Sequence, residues 1–331
     1  MIIGKLALAV KSTTIDSNHK SVPGRCDIIR FGLSLSRFSL ALVFTLGAIS
    51  SALGQDRAVA QDSASSLPVV LVDKKKYEMH LAHYKNGLEI FKTYKVTIGK
   101  NSGDKELEGD QKTPEGIYRF SARYGRENLK AKFGAMAFYI DYPNTFDRRQ
   151  KKTGFDIMLH STNDPERLAR PQDSDGCIVV DDERIKDIAN YIRTPITTVV
   201  IYDELKPEHL KPETDQDLVA AFDKWLAAWS GKDIEAYIGS YVQDFTYERM
   251  NRDQYRAYKE SLNRKYETID VKATNRRYFR HPKYDLVTFT QEYSSTFKGG
   301  RKAFVARGQK RIYFMKENGQ RKIFSEEFSR Y

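Results

Sequence analysis

The chain has 331 residues, of which 40% are hydrophobic and 12% aromatic. That composition excludes a disordered or fibrous chain and leaves room for two cores. Its two cysteines, Cys26 and Cys177, exclude a disulfide-stapled scaffold. The formal charge is +11, with a surplus at 215–331, where 23 Lys and Arg face 16 Asp and Glu. A polyanion is therefore a favoured partner at that end, with a solvated basic face as the plain alternative.

Near the N-terminus, residues 38–53 are almost wholly apolar and follow Arg25, Arg30 and Arg37. Ala52-Leu53-Gly54 has the small-x-small pattern of a signal-peptidase site. The expectation is an export signal over 1–54, placing the mature protein in the periplasm. An uncleaved membrane anchor is the alternative. Residues 55–66 are small and polar and read as a linker.

Structure is expected from residue 67. Residues 69–72 are a short apolar run of strand length, and 77–84 alternate as a second strand. Lys85-Asn86-Gly87 is a hairpin turn signal into a strand over 88–98. Further strands are expected at 117–120, 137–142 and 155–160, the last delivering His160 to its end. His80 and His83 lie three apart without further ligands and are expected on the surface. Asp181 and Asp182 are N-cap candidates for a helix through Ile185, Ile188 and Ile192. Pro195 ends it, and 197–202 forms a closing strand.

Residues 204–214 are charged and proline-bearing and read as a linker between a domain at 67–203 and another at 215–331. In the second domain Leu218, Phe222, Trp225, Leu226 and Trp229 recur at helical spacing. Gly231 stops that helix, a second follows over 234–241, and a third over 253–264. From Ile269 onward the pattern is β, with a hairpin turn at Asn318-Gly319. Helices followed by an antiparallel sheet make an α+β unit. Trp225, Trp229, Tyr241 and Phe245 are read as core rather than as a ligand cage.

The chemistry-bearing stretch runs from His160 to Cys177. With the leader removed, Cys177 is the sole thiol, in a polar Ser174-Asp175-Gly176-Cys177 turn that suits a reactive rather than a packed cysteine. His160 is the natural base, and an imidazolium–thiolate pair is expected. Gly176, Ser174 and Asp175 are candidates for an oxyanion site or for orienting the turn. The residue that orients His160 is open among Asp164, Asp173, Asp175 and a backbone carbonyl.

These residues resemble the catalytic motif of the YkuD-type L,D-transpeptidases: a strand-end histidine, a loop, then Ser/Thr-x-Gly-Cys. Thr97-Ile98-Gly99-Lys100, Lys112-Thr113-Pro114-Glu115-Gly116 and Tyr142-Pro143-Asn144 resemble the same family's strands and turns. The resemblance implies a mainly β catalytic domain, a YkuD-like β-sandwich with a short helix after the cysteine. It also implies Cys177 as nucleophile, His160 as general acid/base, and substrate contacts at Ser161, Tyr142 and Asn163. Departures stand at Ser161, Asp175 and Val179, where many members carry glycine, histidine, and arginine or asparagine.

The C-terminal unit is similar to the NTF2-like fold, and the pairing of domains resembles the cell-shape L,D-carboxypeptidases of helical bacteria. The substrate implied is the peptidoglycan tetrapeptide stem, cut between meso-diaminopimelate and D-Ala, with no metal or cofactor. The family as a whole implies transfer to an amine, and the domain pairing implies transfer to water. A non-catalytic wall-binding protein is the reading of another class. An anionic wall polymer or a protein is the expected partner of the basic C-terminal domain, and nucleic acid is not expected.

Overall fold

The computed structural model describes residues 68–331, so the expected export signal and the linker at 55–66 lie outside the described residues. The catalytic half is built on β1 (Val69–Asp73), whose Val-Val-Leu-Val-Asp run is buried throughout. A strand covered on both faces needs such continuous apolar sequence rather than alternation. β1 pairs antiparallel with β2 (Glu78–Lys85), which turns through Gly87 at φ +113° into β3 (Gly87–Lys95). Short β4 (Ile98–Gly99) leads to β5 (Gly116–Gly125), β6 (Met136–Ile140) and β7 (Met158–His160). β8 (Gln172–Ser174), β9 (Ile178–Val179) and β10 (Thr198–Tyr202) complete this half. Eight strands form one mixed sheet in the order β3-β2-β1-β10-β5-β6-β7-β9, and β4 pairs with β8 apart from it.

Two short helices serve this sheet. α1 (Thr145–Arg149) starts from Asn144, whose side chain accepts the Phe146 and Asp147 N–H groups. α2 (Asp182–Ala189) follows the nucleophile and buries Ile185, Ile188 and Ala189. Asp181 is its cap, accepting from Arg184 N–H, while Asp182 accepts from Ala135 N–H at 2.9 Å.

The second half is α+β. α3 (Gln216–Ser230) buries Leu218, Phe222 and Trp225, and is followed by α4 (Ile234–Gly239). A small ribbon, β11 (Thr246–Tyr247) with β12 (Met250–Asn251), precedes α5 (Arg252–Lys265). β13 (Thr268–Arg280), β14 (Asp285–Thr296), β15 (Lys302–Glu317) and β16 (Gln320–Arg330) form an antiparallel meander. The hairpin between β15 and β16 turns through Asn318 and Gly319, both at positive φ, as the Asn-Gly signal requires.

The two halves share one apolar core. Val69, Leu71, Ile117 and Val200 of the catalytic sheet cluster with Leu218, Phe222, Tyr284 and Phe324 of the other half. At the seam, the Tyr284 hydroxyl accepts from Ile117 N–H and Asn144 Nδ2, both at 2.7 Å, and donates to Ile117 O at 3.0 Å. Its ring stacks on Phe146 at 4.5 Å. Residues 204–214, expected as a linker, are exposed or half-exposed except at two anchored points. His209 is buried with its ring stacked on Tyr202 at 4.4 Å, and Pro212 is buried too. Their polar composition hides this, because the ring stack supplies burial that no apolar run announces. His80, expected on the surface, is buried with Nδ1 2.9 Å from Thr93 Oγ1.

Candidate active site

β7 and β9 lie side by side and parallel, with Leu159 opposite Ile178 and His160 opposite Val179. That register sets Cys177, just before β9, across from the strand that ends in His160. Both residues line one cavity of about 850 Å³. Its walls come from loops: 128–133 on one side, 154–158 on another, and 164–175 on a third.

The turn that carries Cys177 is tightly specified. The Ser174 hydroxyl donates to Cys177 O at 2.6 Å and accepts from Gly176 N–H at 3.1 Å. Gly176 sits at φ +124°, and a Cβ there would meet Lys112 O at 2.7 Å, so the turn closes only with glycine. Ser174 therefore orients the turn. Gly176 N–H is consumed within it and is not an oxyanion donor, which corrects that expectation. The Cys177 N–H, which no hydrogen bond of the described residues engages, remains the donor on offer. Asp175 is exposed and accepts from Lys100 Nζ at 2.9 Å and Gln111 Nε2 at 3.1 Å. It pins the 100–111 segment to the turn rather than pointing at a reacting atom.

His160 is 2% exposed. Its Nδ1 lies 2.5 Å from Ser161 O. A carbonyl only accepts, so Nδ1 carries the proton and Nε2 holds a free lone pair. A backbone carbonyl, not an aspartate, thus orients His160. The Phe133 ring meets the imidazole edge-on at 4.9 Å. Burial pushes His160 down to about 4, and the charges of Arg167 and Lys132 add to that against the opposing Ser161 carbonyl. Burial pushes the Cys177 thiol up to about 11, partly offset by the Met158 N–H. The thiol points to Asp156 O at 3.6 Å. Both shifts favour the neutral thiol and the neutral imidazole over the expected imidazolium–thiolate. Desolvation is the main cause at both, the charges of Asp175 and Asp156 add to it at the thiol, and no carboxylate supports the imidazolium.

Three sequence-assigned substrate contacts lie elsewhere. Ser161 is fully buried, and its Oγ accepts from Ala135 N–H at 2.8 Å. Tyr142 is buried and donates to Thr153 O at 3.0 Å. Asn163 is exposed and outside the cavity lining. The corrected role of the first two is structural: each spends its polar group on loop backbone. Val179 is buried and exchanges both backbone bonds with Thr97, at 2.9 and 2.8 Å, so it too is scaffold. What sequence reading missed is a wall rich in cations, with Lys100, Lys105, Lys130, Lys132, Arg167 and Arg170 all lining the cavity. No spacing rule separates them from the chain's many other basic residues.

A second cavity, of about 340 Å³, opens in the C-terminal half between α3, α5 and the meander. Trp229, Tyr237, Tyr255, Tyr293 and Phe304 supply an aromatic lining. Thus Trp229, expected as core, lines a cavity, while Trp225, Tyr241 and Phe245 are core. Lys259 Nζ lies 4.8–5.2 Å from the ring centroids of Trp229, Tyr237 and Tyr255. Lys310 pairs with Glu326 at 2.7 Å. Burial alone would raise Glu326, but Lys310 and Lys259 hold it low. Burial brings Lys259 down to about 8. Gln291 Oε1 is buried there without a hydrogen-bond partner among the described residues.

Residues 68–201 match the family model of YkuD, the L,D-transpeptidase catalytic domain. Residues 217–327 match that of Cds6_C, the Cds6 C-terminal NTF2-like domain. The structure of Bdellovibrio bacteriovorus Bd1075 is 32% identical over 80% of this chain and 93% of its own, with a TM-score of 0.69. Two structures of the helical cell shape determining protein Pgp2 from Campylobacter jejuni are 24% and 23% identical, with TM-scores of 0.61 and 0.59. Each covers 79% of this chain, and at that identity the likeness is one of fold. No curated protein matches the chain.

Proposed function

We propose that this chain, which belongs to the YkuD family of L,D-transpeptidase catalytic domains, removes the terminal D-Ala from peptidoglycan tetrapeptide stems through a Cys177 thioester, with water as the final acceptor. The observation that carries the reading is the shared cavity of Cys177 and His160, with the base oriented by the Ser161 carbonyl and its Nε2 left free. In the first step Nε2 takes the thiol proton as Sγ attacks the carbonyl at the L-centre of meso-diaminopimelate. The Cys177 N–H is the donor this reading assigns to the developing oxyanion. Collapse breaks the peptide bond, and the imidazolium returns its proton to the departing D-Ala amine. Water, deprotonated by the same nitrogen, then cleaves the thioester and leaves a tripeptide.

With both shifts favouring the neutral forms, this reading has the proton move as the sulfur attacks rather than before it. Water as acceptor is supported by the domain pairing, held in common over nearly the whole length of Bd1075. Transfer to an amine of a second stem is the alternative that the family description supports. The aromatic cavity supports docking of an anionic piece of the wall, since Lys259 and Lys310 outnumber Glu326 there. A wall substrate also fits the expected export to the periplasm.

The test is to incubate purified protein with tetrapeptide muropeptides and read products by mass spectrometry. Tripeptide and free D-Ala support the reading, cross-linked dimers move it to transpeptidation, and no turnover with no carbapenem adduct on Cys177 leaves a wall-binding protein.

A further inference from the structure

The cavity wall at 164–174 holds a cation cluster that the proposed chemistry has not used. Arg167 donates from Nε to Asp173 Oδ2 at 3.1 Å and from Nη2 to Asp173 O at 2.8 Å. Arg170 Nη2 reaches the same Oδ2 at 2.9 Å. Two guanidinium groups against one carboxylate leave one net positive charge. Arg167 and Asp173 are about four-fifths buried, at 20% and 21% side-chain exposure. A cation so fixed loses little freedom when it takes a second anion.

The cluster is also tied to the nucleophile's strand. Thr97 Oγ1 donates to Arg167 O at 3.3 Å and Arg170 O at 3.0 Å. Thr97 itself exchanges backbone bonds with Val179, two residues beyond Cys177. The backbone that carries Arg167 and Arg170 is thereby indexed to Cys177 by a buried hydroxyl. Arg167 lines the same cavity as His160, and its charge is felt by that imidazole.

The leaving group imposes a distance. Its nitrogen takes the proton from His160, and its carboxylate carbon stands about 2.5 Å from that nitrogen by standard bond lengths. A cation in the wall beside His160 is therefore where that carboxylate must be met. Lys132 also lines the cavity, but it is exposed and rests over the Phe133 ring at 5.0 Å, without a comparable clamp.

We propose that Arg167, held by Asp173 and backed by Arg170, reads the terminal carboxylate of the departing D-amino acid and so restricts cleavage to the last residue of the stem. This rests on the tetrapeptide reading above and adds the residue that sets its specificity. The substrate class follows: a peptide ending in a free carboxylate immediately after the cleaved bond, in preference to an amidated or extended one.

The test compares a tetrapeptide with a free D-Ala carboxylate and the same peptide as its C-terminal amide. Wild-type protein is expected to favour the acid by about 10- to 100-fold in kcat/KM, the scale of one charge-assisted hydrogen bond. Arg167→Gln, which removes the net charge, should lose most of that on the acid, largely through KM. Its effect on the amide should be smaller than on the acid, so the preference falls to about 3-fold or less. Arg167→Lys should restore part of the preference. Iodoacetamide labelling of Cys177 and the thermal midpoint certify that the variant is folded. If Arg167→Gln does not fold, Arg170→Gln is the second variant, with a smaller loss of the same ratio expected. An unchanged acid-to-amide ratio in the folded variants, or a wild type indifferent to the amide, overturns the assignment while leaving the tetrapeptide reading standing. A wild type that cleaves neither peptide removes the tetrapeptide reading, and this assignment with it.

Discussion

The two cavities are built in opposite ways. The one that holds Cys177 and His160 is assembled from short strands and loops within 100–177, and hydrogen bonds to its backbone set the geometry: Ser161 O orients His160, and the Ser174 hydroxyl ties the turn through Cys177 O and Gly176 N–H. The aromatic one is assembled from three helices and four long strands spread over 228–328, and side chains set its chemistry through a buried Lys310–Glu326 pair beneath a ring of tyrosines. Function can therefore be removed from the first at little cost in stability, whereas in the second the polar groups that could bind are also groups the fold depends on.

The largest expected effect follows from that contrast. Lys310→Met strands the Glu326 carboxylate in the interior and should cost about 3–5 kcal/mol, read by chemical denaturation. Adding Glu326→Leu should recover most of the loss while still abolishing retention on purified cell-wall sacculi. If the single and double variants are equally stable, the pair is not an energetic unit.

Next is the staple. Ser174→Ala leaves the Gly176 N–H and Cys177 O without their partner and should cost about 1–3 kcal/mol. It should also slow acylation at Cys177 more than it weakens substrate binding, a split between kcat and KM that stopped-flow turnover resolves.

A third expectation concerns pH. Burial holds His160 down to about 4 and His281 to about 3, both below the ordinary value near 6.5. The unfolded chain binds these protons first, so the stability from neutral histidines is complete above about pH 6.5. It is lost as pH falls toward 4 and then 3. Thermal midpoints should drop across that window. Alkylation of Cys177 by iodoacetamide should climb with pH toward about 11, without the plateau near neutrality that a preformed ion pair would give.

The smallest effect is expected at Asp175→Asn. Its carboxylate is largely exposed where Lys100 meets it, so loss of that pair should change stability by about 0–1 kcal/mol, checked by denaturant midpoint.

Much of this was legible in the sequence, for identifiable reasons. The long strands of the meander and the helix through Phe222 and Trp225 announce themselves because period and length agree. The Cys177 turn is visible because glycine, a lone thiol and a strand-end histidine are rare together. Ser161 and Tyr142 were misassigned because a polar side chain near a nucleophile looks the same in sequence whether it faces substrate or satisfies loop backbone. The neutral state of the Cys–His pair depends on burial, which spacing does not encode. The Lys310–Glu326 pair forms across a hairpin, where only the strand register brings the two together.

The most direct test of the central claim is intact-mass spectrometry of the protein mixed with a tetrapeptide muropeptide and quenched in acid within a turnover. The account predicts a transient adduct of tripeptide mass on Cys177, absent in Cys177→Ala, followed by release of free tripeptide and D-Ala. Full cleavage by Cys177→Ala, or cleavage with the adduct on another residue, would contradict it.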